Sequence, residues 1–106
     1  MALSKWVPTR DGRQLRRLGK LAEELGELQA VAARCIIQGI DEVDPSSGRV
    51  NRARLQDELA DVLAQCSVTM ATFGLDKAYI DARSFTKRAQ MDEWERLVAE
   101  DANASA

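Results

Sequence analysis

Two short acidic segments carry the residue types that could bind a metal ion and support hydrolysis. The first, EELGE, holds Glu23, Glu24 and Glu27, and the second, ELAD, holds Glu58 and Asp61. Carboxylate oxygens are the ligands that Mg²⁺, Mn²⁺ and Ca²⁺ prefer. An ionised carboxylate can also accept a proton from an attacking water. Together the segments point to metal-assisted hydrolysis, provided that the fold brings them close to each other.

Both segments have the apolar spacing of an amphipathic helix, and their acids occupy equivalent positions on it. On the first helix, counted from Leu21 at about 100° per residue, Glu24 and Glu27 lie at about 300° and 240° around the helix axis. On the second helix, counted in the same way from Leu55, Glu58 and Asp61 lie at about the same two angles. Four carboxylates that meet in one groove repel each other unless a cation neutralises them.

The alternative is that these acids lie on the solvated face of two ordinary helices. Glu24 follows Lys20 by four residues, and Glu58 follows Arg54 by four, so both acids could form ion pairs along their own helix. The residues alone leave this alternative open.

The acidic flank of the first helix continues towards the N-terminus as a basic flank. Arg13, Arg17 and Lys20 lie at about 280°, 320° and 260° on the same wheel. A metal ion and cations in one groove would suit a polyphosphate substrate. Charge pairs on a solvated face are again the alternative.

The composition excludes several classes of site. The chain has 106 residues, which is typical of one domain, and a net charge of -2, which is unlike that of a general nucleic-acid binder. The basic stretch 10–20 keeps nucleic-acid binding as a minor alternative. There are no histidines, which removes histidine general bases and His-containing zinc or di-iron sites.

The remaining composition favours a soluble, cytoplasmic protein. No signal peptide and no apolar run of 18 residues is found, so no membrane partner is expected. The two cysteines, Cys35 and Cys66, fall on the apolar sides of their helices and are predicted to be buried free thiols, with a disulfide as the alternative.

The segments that position the acids are helical. An N-terminal arm spans residues 1–11, and a helix is predicted over 12–38 with Gly39 as its stop. A loop over 40–50 is a linker or a lid. A second helix follows over 51–73, capped by Asn51, and a third over 77–99, capped by Asp76, with a break near residue 91 left open. Residues 101–106 are predicted to be a disordered tail.

These elements predict an all-α fold. We expect an antiparallel bundle of three main helices over residues 12–100. Because a chain of this size has a thin core when it is elongated, we expect oligomerisation to complete the bundle. The apolar stripes that would form the core are the following: Leu15, Leu18, Leu21, Leu25, Leu28, Ala32, Cys35 and Ile36 on the first helix, and Leu55, Leu59, Val62, Leu63, Cys66, Met70 and Phe73 on the second.

The two acidic segments, with the leucines between the acids and the loop between the helices, resemble the E-E-x-x-E … E-x-x-D signature of the MazG-like, all-α nucleoside triphosphate pyrophosphohydrolases. The resemblance covers about residues 12–90. It implies a helical homodimer or homotetramer that hydrolyses nucleoside triphosphates between the α and β phosphates, with magnesium, or manganese, as the cofactor.

The resemblance also assigns roles to residues. It implies that Glu24, Glu27, Glu58 and Asp61 ligate the metal, and that Glu23 binds a second metal or orients the attacking water. Exposed pairing of Glu23 with a neighbouring cation is the alternative.

The signature contains only acids, so it does not identify the cations that would hold the phosphates. Lys87 and Arg88 on the third helix, Arg83 one turn earlier, and Lys20 are the candidates, each with a plain surface charge as its alternative. Many relatives carry a lysine and an asparagine on the last helix. This chain has Arg83 and Lys87 there and no asparagine, which leaves the triphosphate geometry and the choice of substrate open.

Base recognition and the choice of reaction stay open. Trp6 could stack on a base, or it could anchor the arm by packing. Other aromatic residues are read as core or interface. The alternatives to a general pyrophosphohydrolase are a phosphoribosyl-ATP pyrophosphohydrolase, a dUTPase-like enzyme and a non-enzymatic helical oligomerisation module.

Overall fold

The computed structural model describes residues 5–104 and consists of three helices and one small hairpin. The helices are α1 (Gly12–Gln38), α2 (Asn51–Phe73) and α3 (Lys77–Ala104). The helical prediction is confirmed, and the bounds of the first two helices are as expected. Within residues 5–104 no helix is long and apolar enough to cross a membrane. The chain forms two units, one ending at Leu75 and one beginning at Asp76.

Side-chain caps and glycines define the helix ends. The Asp11 carboxylate accepts a hydrogen bond from the Gln14 N–H at 2.9 Å and caps α1. Gly39 follows the last turn of α1 with φ 106°, a conformation that strains any residue with a Cβ. Gly74 ends α2 in the left-handed conformation. Asp76 caps α3 by accepting from the Tyr79 N–H at 3.0 Å, as the sequence predicted.

The connection between α1 and α2, predicted from the sequence to be a loop, contains a minimal antiparallel hairpin. Its strands are β1 (Val43–Asp44) and β2 (Arg49–Val50), each of two residues. Strands this short carry no readable alternation, so turn residues are their only sequence signal. Gly48 closes the turn with φ 71°, and its N–H donates to the Asp44 carbonyl at 2.8 Å.

Asp44 is the buried centre of this connection. Its side chain is 1% exposed and accepts hydrogen bonds from Gln38 at 3.2 Å and from Arg54 at 3.3 Å. Arg34 lies 3.5 Å away on α1. Burial would raise the pKa of the Asp44 carboxyl, but the hydrogen bonds, led by that of Gln38, and the charge of Arg34 lower it. One carboxylate therefore ties the end of α1 and the start of α2 to the hairpin.

The predicted capping role of Asn51 is wrong. The N-cap of α2 is Val50, and Asn51 is the first helical residue. The Asn51 side chain is fully buried and donates to the Gln38 side-chain oxygen and to the Gly39 carbonyl, both at 3.0 Å. Asn51 therefore joins the two helix ends, and a long-range contact has replaced the local cap that propensity suggested.

Helices α1 and α2 pack antiparallel, with their acidic flanks turned towards each other. Val31 and Val62 are the apolar residues that the structure buries among residues 5–104. Val31 lies at about 280° on the α1 wheel, beside the acids rather than on the leucine stripe. The stripe residues Leu25 and Leu63 are 47% and 68% exposed. Val62 belongs to the predicted stripe of α2, so part of that stripe is buried, whereas the leucines on its outer flank stay exposed.

Helix α3 forms the second unit and is a single uninterrupted helix from Lys77 to Ala104. It has no break near residue 91, and it runs past the expected end near residue 99. Residues 101–104, which the sequence placed in the tail, are alanine-rich and helical, and alanine has the highest helix propensity. Residues 105–106 lie outside the described residues. Phe85 and Trp94 on this helix are 76% and 54% exposed.

We predict that Asp44→Ala lowers the Tm by at least about 5 °C, because the half-buried amide and guanidinium groups around it lose their acceptor. Thermal unfolding followed by circular dichroism measures this. The matched control is Asp57→Ala, which removes an exposed carboxylate paired with Arg49 at 2.7 Å. The control variant should shift the Tm by less than about 2 °C. Equal shifts in the two variants would show that Asp44 is not the anchor of this connection.

Candidate metal centre

The packing of α1 on α2 brings three glutamates together. An oxygen of Glu24, one of Glu27 and one of Glu58 lie within 4.8 Å of one another. Glu24 and Glu27 come from successive turns of α1, and Glu58 comes from α2. These three residues are called the carboxylate cluster below. The matched angular positions predicted this convergence, and the structure agrees for these three residues.

The side chains of the cluster differ in burial. Glu24 is 7% exposed, Glu58 is half-buried and Glu27 is exposed. The cluster therefore opens to solvent on the Glu27 side and closes on the Glu24 side. An ion could enter from the open side and meet a partly desolvated carboxylate, where Coulomb interactions are stronger than in bulk water.

Two oxygens of the cluster are buried without a hydrogen-bond donor. Within the described part of the chain, Oε2 of Glu24 and Oε2 of Glu58 have no hydrogen-bond partner. A buried charged oxygen without a partner is costly, because it has lost its hydration. A hard divalent cation would satisfy such oxygens, so the donor set of this cluster fits magnesium or manganese.

The two predicted ion pairs along the helices have different outcomes. Lys20 Nζ does lie 3.3 Å from Oε1 of Glu24, and also 3.3 Å from Oε1 of Glu23. Hydrogen bonds with Glu24 and then Glu23 raise the pKa of the Lys20 ammonium group. Arg54, in contrast, pairs with Asp44 instead of the expected Glu58. Glu58 thus lacks the cation that the solvated-face interpretation gave it.

Repulsion within the cluster is visible in the pKa of Glu27. The charges of Glu24 and then Glu58 raise the pKa of the Glu27 carboxyl above its ordinary 4.5. The carboxylates are therefore held close enough to oppose one another's ionisation. Helix packing, rather than local attraction, maintains this arrangement.

Two of the five predicted acids are not part of the carboxylate cluster. Among the described residues, the group whose oxygens lie within 4.8 Å of one another contains only Glu24, Glu27 and Glu58. Asp61 is exposed on α2, one turn after Glu58. Glu23 is also exposed and contacts Lys20. Their predicted roles, ligand for Asp61 and assisting acid for Glu23, stay predictions.

The remaining predicted site residues lie elsewhere. Arg83, Lys87 and Arg88 are exposed on α3, in the second unit, and their role towards phosphates stays a prediction. Trp6 is 85% exposed, so it does not anchor the arm on a helix of this chain, and stacking on a base or packing on a partner subunit stays a prediction. Cys35 and Cys66 are free thiols, as predicted, but they are half-buried rather than buried.

A depression on α1 is lined by the three cations of the predicted basic flank and by a fourth, Arg16, which the prediction did not include. The lining residues are Arg13, Arg16, Arg17 and Lys20. Arg16 lies at about 220° on the α1 wheel. It precedes Lys20 by four residues, and this i,i+4 spacing could have placed it on the basic flank from the sequence alone.

Comparison with protein-family models, with curated proteins and with solved structures gives no match for this chain. The assignment of the carboxylate cluster therefore depends on its own geometry and on the resemblance of its two motifs.

We predict that stability depends on pH through Glu27 when no metal is present. Its folded-state pKa lies above the unfolded value of 4.5, so the folded state holds this proton more tightly. This contribution to stability is present below pH 4.5 and is lost as the pH rises through the folded-state pKa. Glu27→Gln should therefore unfold at a higher temperature than the parent protein at pH 7 and at the same temperature near pH 4.

Thermal melts in a chelating buffer across this pH range measure the effect. Glu95→Gln, which removes an exposed acid on α3, is the control and should follow the parent at every pH. If the Glu27→Gln and parent curves stay parallel from pH 4 to 7, the carboxylates do not repel one another as described.

Proposed function

We propose that the protein is a magnesium-dependent nucleoside triphosphate pyrophosphohydrolase that produces a nucleoside monophosphate and pyrophosphate. The observation that carries this proposal is the carboxylate cluster, with its two buried oxygens that lack a donor. The E-E-x-x-E … E-x-x-D resemblance supplies the reaction type. The half-buried position of Glu58, without its expected cation, favours a ligand role over a solvated face.

In this proposal Glu24, Glu27 and Glu58 hold the divalent cation, and Asp61 completes the ligand set by the resemblance. A cation bound there would neutralise phosphate charge and make a nearby water more acidic. Glu23 would orient the water or accept its proton, because it is an exposed carboxylate one residue from the most buried ligand. Lys20, which already contacts Glu23 and Glu24, would face the phosphates.

The nearest alternatives use the same cluster on other substrates. A phosphoribosyl-ATP pyrophosphohydrolase or a dUTPase-like enzyme would need the same metal and water. A non-enzymatic oligomerisation module would not need buried carboxylate oxygens without donors, and its thermal stability would not depend on magnesium.

We predict that the protein converts at least one nucleoside triphosphate to monophosphate and pyrophosphate only when Mg²⁺ or Mn²⁺ is present. A panel of canonical and modified triphosphates, with phosphoribosyl-ATP included, is resolved by chromatography with and without metal. Formation of diphosphate and phosphate would contradict the proposed bond. A folded protein that turns over nothing in the panel would contradict the enzyme proposal.

Carboxylate variants locate the activity within the protein. Glu24→Gln and Glu58→Gln should each reduce kcat by at least about 100-fold while the metal-free fold keeps or gains stability, since like-charge repulsion falls. Asp57→Asn is the matched control on α2, because Asp57 is an exposed neighbour of Glu58 that is paired with Arg49. Full activity in both Glu variants would exclude the cluster as the site.

We also propose that the chain forms a homodimer or homotetramer through the exposed flank of the leucine stripes. Leu18, Leu25 and Ile36 share this flank on α1, and Leu59 and Leu63 share it on α2. Because both helices turn their acidic flanks towards each other, the same flank of each stripe stays accessible. A second copy of the chain would bury it by apolar contact.

We predict that Leu63→Glu lowers the assembly state measured by sedimentation velocity, because a charge on this flank opposes apolar burial. Leu63 is 68% exposed, so the substitution should leave the α1–α2 fold intact. Ala64→Glu, which places the same charge about 100° further around α2, is the control and should sediment like the parent. A parent protein that is monomeric at all concentrations would contradict the assembly proposal.

A further inference from the structure

Four cations occupy one face of the first three turns of α1 and surround a depression. Its lining residues are Arg13, Arg16, Arg17 and Lys20. Their positions on the helix wheel, from about 220° to 320°, are centred on the same side as Glu24 and Glu27. The basic cluster therefore lies directly N-terminal to the carboxylate cluster along one face of a continuous helix.

Little in the described part of the chain neutralises these cations. Lys20 pairs with Glu23 and Glu24, but no salt bridge to Arg13, Arg16 or Arg17 is found among residues 5–104. The first turn of α1 contains no acid. Asp11 precedes the helix, and its carboxylate accepts the Gln14 N–H as the cap.

The arrangement is unfavourable for an isolated helix. Arg13 and Arg17 are spaced i,i+4, as are Arg16 and Lys20, and like charges at this spacing destabilise a helix. The positive end of the helix dipole adds to this cost, because it disfavours cations in the first turns. An anion bound in the depression would offset both effects, and guanidinium groups suit phosphate oxygens in particular.

The distance to the carboxylate cluster suits a polyphosphate. Arg17 precedes Glu24 by seven residues, or about 10 Å along the helix axis. Lys20 lies between them and contacts Glu24 at 3.3 Å. A triphosphate whose reacting phosphate lies at the carboxylates can therefore extend its terminal phosphates along α1 towards the arginines.

We propose that Arg13, Arg16, Arg17 and Lys20 bind the terminal phosphates of the triphosphate and retain the departing pyrophosphate, so that the α1 surface rather than α3 is the main phosphate site. This proposal rests on the proposed function for its substrate, but the anion site itself can be measured without metal and without turnover. Arg17, the half-buried member, and Arg13, one turn before it, are the central contacts.

The test is calorimetric titration of pyrophosphate into the protein in a chelating buffer at fixed ionic strength. Arg13→Gln/Arg17→Gln should weaken pyrophosphate binding by at least about tenfold, since charge-assisted contacts to phosphate are lost. Arg10→Gln removes an exposed cation just before α1 and should change the affinity by less than about twofold, as screened charges outside a site do. Circular dichroism should show each variant folded, and the single variant Arg13→Gln repeats the test at an exposed position.

Three results would overturn the proposal. The first is affinity in Arg13→Gln/Arg17→Gln that stays within about twofold of the parent, or that falls equally in Arg10→Gln. The second is loss of pyrophosphate binding in Arg83→Gln/Lys87→Gln instead, which would place the phosphate site on α3. The third is binding of duplex DNA that is tighter than pyrophosphate binding and falls steeply with salt, which would assign the cations to nucleic acid.

The outcomes separate this proposal from the proposed function. Glu58→Gln should lose turnover yet bind pyrophosphate at least as tightly as the parent, because Glu58 is not one of the four proposed contacts and its loss removes a nearby negative charge. If turnover occurs and Arg13→Gln/Arg17→Gln leaves the KM of the triphosphate unchanged, the phosphate site is wrong and the function stands. If pyrophosphate binds through these arginines but no triphosphate is hydrolysed, the anion site stands and the function is wrong.

Discussion

The arrangement of the candidate site depends on a buried carboxylate that is not part of it. Asp44 accepts hydrogen bonds from Gln38 at the end of α1 and from Arg54 in the first turn of α2. Asn51 adds contacts to Gln38 and Gly39. These contacts fix where α2 starts relative to α1. The register between two antiparallel helices then decides which residues face each other further along, and in this register Glu58 meets Glu24 and Glu27.

The helix pair therefore holds like charges together by packing at a distance. The raised pKa of Glu27 shows the repulsion, and the buried oxygens of Glu24 and Glu58 show the lost hydration. The cations further towards the N-terminus of α1 repeat this arrangement with the opposite sign. Lys20 joins the two clusters. A substrate complex of a divalent cation and a polyphosphate would neutralise both, which is the physical basis of the proposed function.

Much of this fold could be predicted from the sequence, because long apolar periodicity and strong stop signals define α1 and α2. The matched angles of the acids also predicted the contact of Glu58 with Glu24 and Glu27. The apolar stripe was a poorer guide to the interface. Val31, beside the acids, is as deeply buried as any apolar residue described, whereas the stripe residue Leu63 is mostly exposed and its neighbour Val62 is buried.

The parts that could not be predicted depend on contacts between distant residues. The two-residue strands are too short for a period, and the buried roles of Asp44 and Asn51 depend on partners 6 to 13 residues away. Asn51 has the sequence signature of a helix cap, yet its amide is used across the helix ends. Asp61 matches the motif, but within residues 5–104 it is not among the three acids whose oxygens lie within 4.8 Å of one another.

Direct binding of a divalent cation tests the central claim most closely. Mn²⁺ titration followed by electron paramagnetic resonance reports bound metal through the loss of the free-ion signal, and it needs no substrate. We expect saturable Mn²⁺ binding by the parent protein, displacement by Mg²⁺, and a loss of affinity of at least about tenfold in Glu58→Gln but not in Asp57→Asn. Binding that is absent in the folded parent, or unchanged in Glu58→Gln, would contradict the claim.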